Sequence, residues 1–162
     1  MSTLVNPRDL FFLELGELLW IERMLAFEVL PRLVEEIRDE ELKQALGKHL
    51  EETRLHAAQV ERAFRAAGAE PAAARSAGLA GLAEQHDSQE LTEPTLRDLF
   101  HAGGAARTEH LELALYDSLL GLARELGLGE SADVLKENRG EEERALERVS
   151  SVAARLRGQL PR

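Results

Sequence analysis

Histidine and glutamate recur at helical spacing in the stretch KHLEETRLH, Lys48 to His56, where His49, Glu52 and His56 fall on or beside one helix face. Three other stretches place a carboxylate inside an otherwise apolar stripe. Glu22 stands among Leu18, Ile21 and Leu25, Glu109 and Glu112 between Ala105 and Tyr116, and Glu142 between Leu135 and Val149. Carboxylate oxygen and imidazole nitrogen together suit iron, manganese or zinc. The chain has no cysteine, which excludes disulfides, thiolate ligands and a thiol nucleophile. The candidate ligands are therefore Glu22, Glu52, His56, Glu109, Glu112 and Glu142, holding two divalent metal ions, iron or manganese, with zinc a further option. Neighbours stay open as replacements: Glu51 for Glu52, Glu141 for Glu142, and His49 or His110 as a ligand or as a side chain behind one. His86, Asp87 and His101 read as surface or capping residues. Tyr116, one turn from Glu112, either hydrogen-bonds a ligand or sends its hydroxyl to the surface.

These residues need long helices to carry them. Asn6-Pro7 is a good helix start. From there Phe11, Leu15, Leu18, Glu22, Leu25 and Val29 form one seam, predicting a helix over 7–38 with a kink near Phe27 caused by Pro31. A second helix is predicted over 40–67, its seam passing through Leu42, Leu46, His49, Glu52 or Thr53, His56 and Val60, with Gly68 as its stop. Residues 68–93 lose the period, apart from a short helical stretch at Ala77–Gln89. A third helix, 94–126, offers two adjacent seams, one through Ala106, His110 and Leu113, the other through Ala105, Glu109, Glu112, Tyr116 and Leu119. Gly127 and Gly129 end it. A fourth, 130–156, runs through Leu135, Asn138, Glu142, Val149 and Val152 before a frayed GQLPR tail.

The connection over 68–93 is too long for a hairpin loop. It is long enough to travel the ~42 Å of a 28-residue helix. The fold expected is all-α, a ferritin-like four-helix bundle with one long crossover carrying a short extra helix, as a single domain over 1–162. In such a bundle each polar intrusion lies within about two residues of its helix midpoint, or about 3 Å of rise, so all meet at one level. Five carboxylates buried together cannot remain anions without compensation, since each isolated buried charge costs several kcal/mol or more. Protons, salt bridges or metal ions could supply it; arginines and lysines lie mostly off the seams, and two divalent ions fit the charge and ligand count best.

Composition narrows the remaining choices. Ala, Leu, Glu and Arg dominate the 162 residues, with aromatics at 4 % and only five prolines, which favours helix throughout. A net charge of −10 argues against nucleic acid and anionic membranes as partners. With no signal-peptide pattern and no membrane-length apolar run, a cytoplasmic protein is expected. Phe12, Trp20, Phe27 and Leu115 lie off the main seams and mark either a dimer contact or a wide core face.

The stretches DLFFLELGELLWIERML, LKQALGKHLEETRLH, RTEHLELALYDSLLGLARELG and LKENRGEEERAL resemble the YciE/YciF group of bacterial ferritin-like proteins across nearly the whole chain. The resemblance implies a ferritin-like bundle, a dinuclear site and an association with stress responses, and it favours Glu22, Glu52, position 56, Glu109, Glu112 and Glu142. The chain departs from better-known ferritin-like enzymes in helix four, where Glu142 is followed at the third position by Ala145 rather than histidine. Gly140 also stands where the group tends to carry a charge. Two readings follow: a di-iron or di-manganese protein handling peroxide or ferrous iron, oxidoreductase in character, or a metal-free bundle that self-assembles or binds a partner. Iron storage in a shell is a third.

Overall fold

The computed structural model describes residues 4–160, and among them there are helices and no strand. Asn6 caps α1 (Pro7–Met24) by accepting the Asp9 amide, with Pro7 in the first turn where its missing N–H is no loss. The helix then passes through one π-helical turn, Leu25–Val29, into α2 (Leu30–Glu36). Pro31 has no N–H to donate, and the expected kink is replaced by a widened turn in which the Leu30 N–H reaches back five residues to the Leu25 carbonyl. α3 (Glu40–Ala66) follows, capped by Asp39 accepting from Leu42. It stops at Gly68, whose φ of +80° lets the Ala69 amide reach the Phe64 carbonyl and the Gly68 amide the Arg65 carbonyl.

The crossover carries α4 (Ala77–Asp87) and ends at Glu93, which caps α5 (Pro94–Glu125) by accepting from Thr95 and Leu96. Gly127 terminates α5 with the same motif as Gly68. Two sequence expectations shift here. Gly129 begins α6 (Gly129–Gln159) instead of ending the third helix, and Gly158 and Gln159 are helical instead of frayed.

The first rod (α1, the π turn and α2) packs against α3 and α5, and α6 packs against the same two, which places four rods in a square. Side-chain tethers give the directions. Asp98, near the start of α5, accepts the Arg38 and Asp39 amides at the start of α3. Arg155, near the end of α6, pairs with Asp39 at that same end. Ser131, at the start of α6, donates to the Ala63 carbonyl at the far end of α3. α3 and α5 therefore run parallel, and the crossover climbs the full bundle between them, as expected. On the way the Ala74 amide bonds the Gly16 carbonyl of α1.

The interior divides into three levels. Ile21, Leu25, Leu33, Leu42, Leu46, Val149, Val152 and Leu156 fill one end. Phe11, Leu15, Leu18, Val60, Phe64, Leu119 and Leu135 fill the other. A polar layer separates them. Of the side chains off the main seams, Phe12, Trp20 and Leu115 pack against these clusters as part of a wide core face, and Phe27 is 67 % exposed. Among the described residues no helix is long and apolar enough to cross a membrane.

The close approach of the crossover to α1 makes a prediction. A Cβ at Gly16 would lie 2.7 Å from the Ala72 carbonyl oxygen, a backbone atom that cannot yield. Gly16→Val is expected to cost roughly 1–3 kcal/mol, the usual penalty of overpacking, lowering Tm by about 2–4 °C per kcal/mol in a chain of this size. Gly47→Ala, with nothing within 4 Å of the new carbon, is expected to raise Tm slightly. Paired thermal melts check both.

Candidate metal centre

The polar layer is built by side chains that the helical period turns inward. α1 supplies Glu22, α3 supplies His49 and His56, α5 supplies Glu109, Glu112 and Tyr116, and α6 supplies Asn138 and Glu142; all are buried. The ligand-capable atoms fall into two groups, each with its members within 4.8 Å of one another. One contains His49, Glu109, Glu112 and Glu142, and the other Glu22, His56 and Glu142. Glu142 belongs to both and stands between them.

Distances within the groups are short, and hydrogen bonds do not account for them. His56 Nδ1 lies 2.6 Å from Glu142 Oε1 and 3.7 Å from Glu22 Oε2. None of these three atoms has a hydrogen-bonding partner. His49 Nε2 lies 3.0 Å from Glu109 Oε1 and 3.7 Å from Glu142 Oε2. Both oxygens of Glu112, Oε2 of Glu109 and both oxygens of Glu142 are likewise buried without partners. Buried polar atoms are almost always paired, so this concentration of orphaned donor atoms, aimed at two common points, fits cations. Four carboxylates carry four negative charges and two divalent ions carry four positive ones, so two such ions would leave the layer neutral.

The surrounding side chains hold the candidates in place. Tyr116 donates its hydroxyl to Glu22 Oε1 at 2.5 Å and accepts from Asn138 Nδ2 at 3.1 Å, which fixes Glu22 and leaves its Oε2 free. Of the two readings of Tyr116, contact with a candidate ligand is the one observed. Glu141, on the rim, pairs with His56 Nε2 at 2.7 Å. With a metal bound, that partner would anchor an Nε2–H and leave the Nδ1 lone pair facing inward, the arrangement metal-bound histidines generally show.

Burial dominates the electrostatics. Desolvation pushes Glu109 and Glu142 up to about 7 and Glu112 well above the carboxylate range. Glu22 is also raised, chiefly by burial, against the pull of His56. His49 is lowered by burial, although Glu142 and Glu22 oppose it. For His56, burial acts downward, but the close carboxylates of Glu142 and Glu22 win and push it up to about 11.

One predicted ligand lies elsewhere. Glu52 sits at the edge of α3, where Arg148 of α6 draws its carboxylate to 2.6 Å and Lys48 approaches to 3.5 Å. Thr53 takes the inward position on that turn and returns its hydroxyl to the His49 carbonyl. Glu52 Oε2 comes no nearer to His49 Nδ1 than 3.9 Å, so it stands behind the layer while His49 enters it. The signal was the seam itself: His49, Thr53, His56 and Val60 step by four, three and four. His110 is exposed. Of the two α5 seams, the one through Ala105, Glu109, Glu112, Tyr116 and Leu119 is buried. His101, read as a surface residue, is only 4 % exposed, and His86 is half-buried against it.

The shifted groups give a pH dependence for metal-free protein. Glu109 and Glu142 keep protons to about 7 when folded and lose them near the ordinary 4.5 when unfolded. The folded state therefore binds more protons in that window, and stability falls as pH rises through it. His56 acts in the same direction: its contribution is full below 6.5 and is lost as pH rises toward 11. Chelated protein is expected to melt at higher temperature at pH 5.5 than at pH 8. Added manganese should shift Tm more at pH 8, because a metal must displace those protons. Scanning calorimetry at the two pH values, with and without metal, reads both.

The comparisons with known proteins agree with this architecture. Protein YciF of Escherichia coli (strain K12) is 32 % identical over 142 residues, covering 83 % of this chain and 82 % of that one. The crystal structure of the E. coli stress protein YciF superposes with a TM-score of 0.90 at 24 % identity, over 97 % of this chain and 100 % of that one, a likeness of fold. YcfI from Rhodopseudomonas palustris matches with a TM-score of 0.87 at 27 % identity, over 90 % and 94 % of the two chains. The family model described as Domain of unknown function (DUF892) matches residues 6–159, and the chain belongs to that family.

Proposed function

We propose that the protein binds two divalent transition-metal ions, iron or manganese, in the polar layer of the bundle, and that it uses them in redox handling of peroxide or ferrous iron. The observation that carries this reading is the set of buried carboxylates, Glu22, Glu109, Glu112 and Glu142, whose oxygens are mostly without partners and which share a level with two inward-facing imidazoles. Glu22, His56 and Glu142 would hold one ion, and His49, Glu109, Glu112 and Glu142 the other. Such ions would supply one-electron chemistry and a Lewis acid. The chain's own part is to exclude water, to keep Glu22 oriented through Tyr116, and to keep the His56 Nδ1 lone pair inward through Glu141. The E. coli relative is a stress protein, and disposal of peroxide or free ferrous iron is chemistry of that kind. A cytoplasmic setting and self-association into a dimer belong to the same reading; Phe27 and Leu55 are large apolar side chains left exposed.

Elemental analysis of protein loaded with iron or manganese under anaerobic conditions, then desalted, is expected to show two ions per chain. Glu142→Ala, which removes the residue common to both groups, should lose both ions, and Glu52→Gln should keep both. At metal concentrations about 100-fold above Kd the gain in stability is roughly 2.7 kcal/mol for each ion bound. Glu22→Leu should raise the Tm of chelated protein, by removing a buried acid, and reduce the rise caused by metal. A wild-type Tm unmoved by iron, manganese and zinc, with no metal retained, would sink the proposal in favour of a metal-free bundle.

A further inference from the structure

A crevice of about 50 Å³ opens between the π turn with α2, the crossover helix α4 and the N-terminal half of α5. Its lining includes both exposed Arg32 and Arg107 and buried His49 and Glu109. Its walls are mainly apolar, with Leu25, Val29 and Leu33 on the first rod facing Leu79 and Leu82 on α4. The crevice therefore joins the protein surface to one of the two groups of candidate ligands.

We propose that this crevice is the route by which a small uncharged oxidant, of the size and polarity of hydrogen peroxide, reaches the polar layer. The inference rests on the metal-binding reading given above and names the substrate class of that site. Size comes first: a water needs roughly 10–15 Å³ of such space, so the crevice admits a few atoms and no metabolite of ordinary size. Charge comes next. Moving an ion from water into apolar walls costs several kcal/mol or more, and a dication would also have to pass Arg107 and the Arg32–Asp87 pair, held at 2.9 Å. Metal ions are thus directed elsewhere, and a neutral molecule meets no such barrier. Polarity completes the case. His86 and His101 both line the crevice, paired Nε2 to Nδ1 at 2.9 Å, and with Thr108 they give a mainly apolar passage a few polar atoms for a peroxide to meet. His101 Nε2, buried without a hydrogen-bonding partner, lies 3.8 Å from Glu36 Oε2.

Gly104 provides the test. It lines the crevice, and a Cβ there would meet only His86 Cδ2, at an ordinary 3.5 Å, so the backbone accepts a side chain whose outer carbons fill the passage. Leucine also raises helix propensity by about 1 kcal/mol over glycine. Ala83→Leu, from the α4 side, is the second variant should Gly104→Leu fail to fold, and Gly121→Leu, exposed on the same helix, is the control. Crystals of metal-free protein under xenon should show the gas in the wild-type crevice and not in Gly104→Leu. Stopped-flow oxidation of iron(II)-loaded protein by hydrogen peroxide should slow by about tenfold or more in Gly104→Leu, with iron stoichiometry unchanged and the control at the wild-type rate. Each peroxide takes two electrons from two iron(II) ions and two protons to give two waters. Absence of xenon from the wild-type crevice, or a wild-type oxidation rate in a plugged variant, overturns the route. A wild type that retains no iron instead overturns the metal reading, while xenon still reports on the crevice separately.

Discussion

Four carboxylates buried at one level of a helical bundle are the constraint around which this molecule is built. An apolar layer at the same height would be easier to fold, because taking even one carboxylate out of water costs several kcal/mol. Here Glu22, Glu109, Glu112 and Glu142 come from three different rods and converge between two apolar clusters that seal the bundle above and below. The burial that raises their pKa values and the dryness that would strengthen a bound cation are the same physical fact. In metal-free protein the cost is reduced by protons, which is why Glu109 and Glu142 hold theirs to about 7.

The layer is asymmetric in a way the connectivity does not require. Both histidines stand on α3, seven residues apart, which is two turns or about 10.5 Å of rise. They reach inward on either side of Thr53, so one helix offers an imidazole to each group. α6 contributes Glu142 alone, with Ala145 packed in the core at the third position beyond it. One carboxylate, Glu142, then serves both groups. Outside the layer, Glu141 anchors His56 and Tyr116 anchors Glu22, whereas His49 has only Glu52 near its Nδ1, at 3.9 Å. The two groups therefore differ in rigidity as well as in donor count.

The π turn, Leu25–Val29, continues the rod that carries Glu22. It begins three residues after Glu22 and is the local answer to Pro31, and Leu25 and Val29 within it line the crevice toward His49 and Glu109. A widened turn keeps the rod in contact with its neighbours on both sides of the proline.

Much of this was legible in the residues. The 3.6-residue period alone assigns four rods and their inward stripes, and local chemistry places the caps at Asn6 and Gly68. The length of the segment before Pro94 forces the crossover, and similar helix lengths bring Glu22, Glu109, Glu112 and Glu142 to one height. What the period could not decide was the outcome at the edge of a stripe. Glu52 is one step of 100° from Thr53, and which of them turns inward depends on Arg148, a cross-helix partner 96 positions away that draws Glu52 outward. The same holds for His101, whose burial under His86 is decided by where the crossover lies on α5. Sequence settled most features governed by neighbours within a helical turn or by helix length, the π turn at Pro31 and the start of α6 at Gly129 being exceptions; tertiary structure settled those governed by which charge or surface arrives from another helix.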